Sequence, residues 1–226
     1  MLGGHVQQEI VELMRYADLV SKKGYVCNQL GNIALRSKKQ DELAENLILT
    51  KHKGISLEEM TRDNIIAIGL ESNRLYLGDV LPSIGHALNR EIFLCRPDVM
   101  AVIHVHADEL IAYFSLFYQR RFRFISADAA AILGAPVEIF PPELNVEVDA
   151  AQASAAIMRT NTLILANHGI TTYGASLSQA YHRLNSMVAE VRRIMMATEL
   201  AHLASASVNY LNDSEEQELY ELAKRI

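Results

Sequence analysis

The sequence predicts a mixed α/β domain in which one sheet carries helices on its faces. Two observations predict it. Apolar runs of strand length, among them "NIALR", "NLILT", "NIIAIGL", "AVIHV" and "TLILA", recur along the chain, and the stretches around them place apolar residues at helical spacing. Half of the 226 residues are hydrophobic, enough for a substantial core, and no Pro-, Gly- or Ser-rich linker divides them. Residues 1–226 therefore read as a single domain.

The elements follow in order. Val6, Ile10, Val11, Met14 and Ala17 have helical spacing, and Gly24 is placed to end that helix. "NIALR" and "NLILT" read as strands joined by a polar loop, and "SLEEMTRD" reads as a helical turn opened by Ser56. "NIIAIGL" and "RLYLG" are strands separated by the turn residues "ESN". "HALNREIFLCRPD" is a helix that stops before Pro97, because the residue preceding a proline is pushed out of the helical region. The strand "AVIHV" and a helix over 107–117 come next, then a second lobe of strands, "VEIF" and "TLILA". Gly169 and Gly174 permit a tight turn before the last long helix. Leu177, Ala180, Tyr181, Leu184, Val188, Val191 and Met195 mark one face of that helix, with Ser176 as its N-cap and Met187, Met195 and Met196 as core filler.

Composition excludes several partners. A net charge of −6, with no basic cluster interleaved with aromatics, argues against nucleic acid. "RRFR", residues 120–123, reads as a solvated segment. No apolar run approaches a membrane span, and the first residues lack the pattern of a secretory signal. Cys27 and Cys95 form neither a disulfide framework nor a CxxC pair; they read as ordinary buried thiols in a reducing cytoplasm.

The stretch with chemistry in it is "AVIHVHADE", residues 101–109. Side chains alternate along a strand, so His104 and His106 share a face, their Cα atoms about 7 Å apart. In the plainer reading they are half-exposed polar residues on the open side of a sheet. In the other they are two ligands awaiting a third, and "TLILANHGITTYG" offers His168 where an apolar strand ends. Three histidines with an open position are the donor set of a catalytic zinc site, although a histidine in a turn serves equally well as a backbone partner.

With these residues in place, "GNIALR" (31–36), "LPS" (81–83), "RPDVMAVIHVHA" (96–107) and "NHGITTYG" (167–174), in this order and at these separations, resemble the class II aldolase and adducin family, in its branch of L-fuculose-phosphate aldolase and L-ribulose-5-phosphate 4-epimerase. The resemblance implies an α/β fold, a three-layer α/β/α sandwich around a largely antiparallel central sheet, in a homotetramer with active sites at subunit contacts. It implies that His104, His106 and His168 bind a divalent metal, usually zinc, which stabilises an enediolate when a ketose loses its aldehyde fragment. It also implies that Gly31, Asn32, Gly54 and Ser83 cradle a phosphate, with Lys53 adding a cation where relatives have a small hydroxyl residue. Gly31 and Gly54 also read simply as turn glycines.

One departure matters most. Relatives carry two serines followed by an acidic residue; here "LPSIGH" keeps Ser83, puts Ile84 in place of the second hydroxyl and Gly85 in place of the acid. Ala34 likewise replaces a serine. Asp128 in "ISADAAA", His86 beside the empty position and Glu109 after the second histidine are the candidates to carry protons instead. Each also has a plainer role, Asp128 as a helix cap, His86 as a helix-start residue and Glu109 as a charge favoured at a helix N-terminus. The expectation is a metal-dependent lyase acting on a small phosphorylated sugar or hydroxy acid. The alternatives are a metal-dependent epimerase or decarboxylase and, from another class, a non-catalytic association domain like that of adducin.

Overall fold

The computed structural model describes residues 4–26, 28–37 and 45–225. Its centre is one eight-stranded sheet in the order β4-β3-β2-β1-β5-β8-β7-β6. The strands are β1 (Asn32–Ser37), β2 (Leu47–Lys51), β3 (Ile65–Gly69), β4 (Leu75–Leu77), β5 (Ala101–Val105), β6 (Glu138–Phe140), β7 (Thr162–Leu165) and β8 (Gly169–Gly174). Every neighbouring pair is antiparallel except β6 and β7. The helices are α1 (Gly4–Lys22), α2 (His86–Cys95), α3 (Asp108–Phe117), α4 (Ala127–Leu133), α5 (Ser154–Ile157), α6 (Leu177–Leu203) and α7 (Asp213–Ala223).

Strand alternation sorts the core into two layers. From β5, Ala101, Ile103 and Val105 enter a core with Leu13 of α1, Phe114 of α3, Leu133 of α4 and Leu184 of α6. Val102 faces the other way, into a smaller core with Leu88, Ile92 and Phe93 of α2 and Ile157 of α5. The sheet is thus covered on both faces, a three-layer α/β/α arrangement, and β5 is buried along its whole length. Helix ends follow local chemistry. Ser176 Oγ accepts the Gln179 N–H at 3.1 Å to open α6, and Gly134, at φ +65, closes α4 while its N–H donates to Ala130 O at 2.9 Å.

Several sequence expectations are corrected. Residues 169–174 are not a turn but strand β8, pinned between β5 and β7, and "VEIF" and "TLILA" extend the same sheet instead of forming a second lobe. "SLEEMTRD" makes no α-helix: the Ser56 N–H bonds Glu59 Oε2 at 2.7 Å in a turn, followed by a 3-10 segment at Arg62–Asn64. Met195 and Met196 are exposed, on the part of α6 that runs beyond the sheet, whereas Met187 is core. "RRFR" is more than a solvated segment. Phe122 is buried, and Arg121 pairs with Asp213 and Glu216 at 2.7 Å each, docking α7. Cys95 is half-buried, its thiol donating to Glu91 Oε1 at 3.3 Å. Cys27 and most of the polar loop after β1 lie outside the described residues. Among the described residues no helix is long and apolar enough to cross a membrane.

Candidate metal centre and anion cavity

The register of the sheet brings the three histidines together. His104 on β5 sits opposite Thr171 on β8, and His106 follows the end of β5. Between β7 and β8 the chain reverses through Asn167 at φ +59, a conformation asparagine tolerates better than most residues, which carries His168 to the same place. Gly169 has to be glycine for another reason: a Cβ there would stand 2.4 Å from Val105 O and 2.9 Å from the His106 ring. "NHG" therefore encodes a reversal, a candidate ligand and a close strand contact in succession.

One nitrogen from each of His104, His106 and His168 lies within 4.8 Å of the other two. His104 Nδ1 meets the Thr171 hydroxyl at 2.9 Å, which orients the ring, and its Nε2 is 2.9 Å from His106 Nε2. This is how a structural partner fixes a metal-binding imidazole with its second nitrogen free. Burial pushes His104 down to about 4, with Glu147 opposing, and burial with His168 lowers His106. Both rings are thereby held neutral, the form that ligates a metal. The donor set fits a divalent ion of the zinc type.

The histidines line a cavity of about 350 Å³, and Gly31, Asn32, Lys53, Gly54 and Ser83 line the same cavity. Gly31 (φ +82) and Gly54 (φ +88) both adopt left-handed backbone conformations that favour glycine. Asn32 pairs with His104 across β1 and β5, and its Oδ1 accepts from Asn89 Nδ2 at 2.6 Å. Lys53 is exposed at the mouth.

Two lining residues escaped the sequence reading. Lys51 is fully buried at the end of β2, its Nζ donating to Ile55 O at 2.7 Å and Gln29 O at 3.1 Å; burial pushes it down to about 8, with Glu59 opposing. Its only signal was a charge directly after the run "NLILT". Glu147 lies in the segment between β6 and α5, with Oε2 2.9 Å from His168 Nε2 and Oε1 3.7 Å from His104 Nε2. Burial raises its carboxyl, but His104, His168 and His106 outweigh that and hold it at about 2. Its signal was an acid between two valines in "NVEVD".

None of the three residues expected to carry protons faces the histidines within one chain. His86 is buried at the start of α2 with Nε2 3.0 Å from Asn73 Oδ1, and burial followed by Arg90 pushes it down to about 4. Glu109, in the first turn of α3, is bound to Arg192 of α6, with Nε at 2.9 Å. Asp128, in the first turn of α4, is exposed and lies 3.4 Å from Arg193. His86 and Glu109 lie at helix starts as the plainer reading has them, whereas Asp128 is not the cap of α4, whose N-cap is Ser126.

Residues 11–194 match the family model of the class II aldolase and adducin N-terminal domain, and the chain belongs to that family. Over 191 residues it is 26% identical to the L-fuculose phosphate aldolase of Methanococcus maripaludis, covering 83% of this chain and 97% of that protein. Over 195 residues it is 24% identical to the methylthioribulose-1-phosphate dehydratase of Pseudomonas syringae pv. tomato, covering 80% and 89%. The solved structure of an L-fuculose 1-phosphate aldolase superposes with a TM-score of 0.80 at 19% identity, over 99% of this chain and 98% of the other, which bears out the three-layer fold.

Proposed function

We propose that the chain is a metal-dependent lyase of the class II aldolase type, cleaving or forming a carbon–carbon bond in a small phosphorylated sugar, with zinc held by His104, His106 and His168. The observation that carries this reading is the convergence of three imidazole nitrogens on a cavity that Gly31, Asn32, Lys53, Gly54 and Ser83 also line. When bound, the ion supplies Lewis-acid stabilisation of the negative charge left on the sugar oxygens as the bond to the aldehyde fragment breaks. The chain's own residues do the positioning. Thr171 holds the His104 ring; the backbone at Gly31 and Gly54, with Asn32 and Ser83, offers hydrogen bonds to the phosphate; Lys53 adds a cation at the mouth. Leu30, Ile84 and Val148 line the cavity yet are strongly exposed, which supports a second copy covering them, in a homotetramer. Phosphorylated sugars as substrates are in keeping with a cytoplasmic enzyme and with neither nucleic acid nor membrane as partner.

The dehydratase relative favours a second reading, dehydration or epimerisation at the same centre, whereas the glycine at position 85, which cannot transfer a proton, favours a non-catalytic association role. Retention of the full ligand set weighs against a purely associative role. The test is metal analysis followed by a panel of ketose 1-phosphates, with release of dihydroxyacetone phosphate as the readout. Cleavage abolished by chelator and restored by Zn²⁺ supports the lyase; a metal-loaded protein that dehydrates or epimerises members of the panel but cleaves none of them refutes it.

A further inference from the structure

Gly85 lies at the cavity wall where α2 begins, and its surroundings bear on the absence of a side chain there. Its backbone, at φ −62 and ψ −3, is one that any residue adopts, so the conformation does not call for glycine. Space does. A Cβ on Gly85 would lie 2.4 Å from Glu147 Oε1 and 2.4 Å from Asn32 Nδ2. The volume that a side chain at position 85 would enter is already filled, and one of the groups filling it is a carboxylate.

That carboxylate is held in place from a different part of the chain. Val146 is fully buried in the smaller core, anchoring the segment, and the Glu147 N–H donates to Asn145 Oδ1 at 3.2 Å. Glu147 is 7% exposed, and among the described residues its ion pairs are with His104 and His168, not with a lysine or arginine. A buried carboxylate beside converging nitrogen donors, without a basic partner, is a surrounding that a divalent cation completes.

We propose that Glu147, delivered from the β6–α5 segment, is a metal-facing carboxylate beside the three histidines, in space that Gly85 leaves open. Glu147 supplies the oxygen donor, and Gly85 leaves room for it. The proposal rests on the reading of the three histidines as metal ligands, and the experiment separates the two.

The probe is Co²⁺ alone, whose d–d absorption reports its ligands. Its dissociation constant is measured by chelator competition in wild type, Glu147→Gln, Glu147→Ala, Gly85→Glu and the double variant Glu147→Ala/Gly85→Glu, with circular dichroism confirming the fold. Glu147→Gln and Glu147→Ala are expected to shift the visible bands and weaken Co²⁺ by roughly 10–100-fold while one ion per chain still binds at saturation. Gly85→Glu alone, colliding with Glu147, gains nothing. The double variant, with its carboxylate restored from the opposite wall, recovers most of the affinity. Bands and affinity unchanged in Glu147→Gln and Glu147→Ala would overturn this proposal alone. A wild-type protein that holds no Co²⁺ would overturn the histidine reading as well.

Discussion

Lys51 provides a direct measure of how much charge this cavity wall holds out of water. Its side chain is fully buried, and its pKa is brought down from 10.5 to about 8, so holding it protonated in the native state costs on the order of 3 kcal/mol. Lys51→Met removes that cost at neutral pH but strands the carbonyls of Gln29 and Ile55, worth about 1–3 kcal/mol each. The two effects largely cancel at pH 7, so stability there decides little. The pH dependence decides more. Between about 8 and 10.5 the unfolded chain binds a proton at this lysine that the native chain has released, so the unfolding free energy of wild type rises with pH. Methionine does not titrate. The stability difference, wild type minus Lys51→Met, should therefore grow by on the order of 3 kcal/mol across that window, while tyrosine and other alkaline titrations cancel. Urea unfolding followed by circular dichroism at fixed protein concentration measures it, since the chain has no tryptophan to report. Curves that stay parallel from pH 7 upward would refute the buried-ammonium account.

Other predictions are simpler to read. His104→Ala and His168→Ala should lower metal content from about one ion per chain to almost none by elemental analysis, with the fold retained. Lys53→Ala should raise KM for phosphorylated substrates more than for neutral ones, because an exposed lysine contributes a charge and not a fixed fork of donors; equal effects would remove it from the anion site. Gly169→Ala should cost about 1–3 kcal/mol in urea unfolding and disturb metal binding together, since the new methyl meets the Val105 carbonyl and the His106 ring. Light scattering should return a tetramer, and a fully active monomer would contradict the role given to the exposed apolar residues at the cavity.

What could be read from the sequence was what local pattern encodes. Helices α1, α2, α3 and α6 follow from periodicity, Gly24, Pro97 and the Ser176 cap, and the two histidine segments stand out because strand alternation and a reversal are both short-range properties. Strand β8 was not legible: two glycines and two threonines in "GITTYG" look like a turn in isolation, and only its position between β5 and β7 makes it a strand. Glu147 was hidden for a related reason. Its segment has no periodicity of its own, and the empty space beside Gly85 that admits it exists only after α2, β1 and the β6–α5 segment have packed. Lys51 was not legible because a charge normally lies outside a core, and here two backbone carbonyls hold it inside, as the last residue of β2. Asp128 drew attention through the resemblance of its segment and Glu109 through its place after the second histidine, and their partners Arg193 and Arg192 on α6 could not be read from either signal.

The pairing of β5 with β8 also sets a timetable. His104 and His106 leave the ribosome well ahead of His168, with α3, α4 and α5 made in between, so a nascent chain carries two-thirds of the ligand set on a strand whose second edge has no neighbour yet. That edge presents unpaired backbone N–H and C=O groups until β8 arrives to pair with them. The three histidines come together only when the sheet is completed, so on the proposed reading of them as metal ligands ion uptake is a late event in the life of each chain, and any product truncated before residue 168 lacks the third histidine and has an unguarded strand.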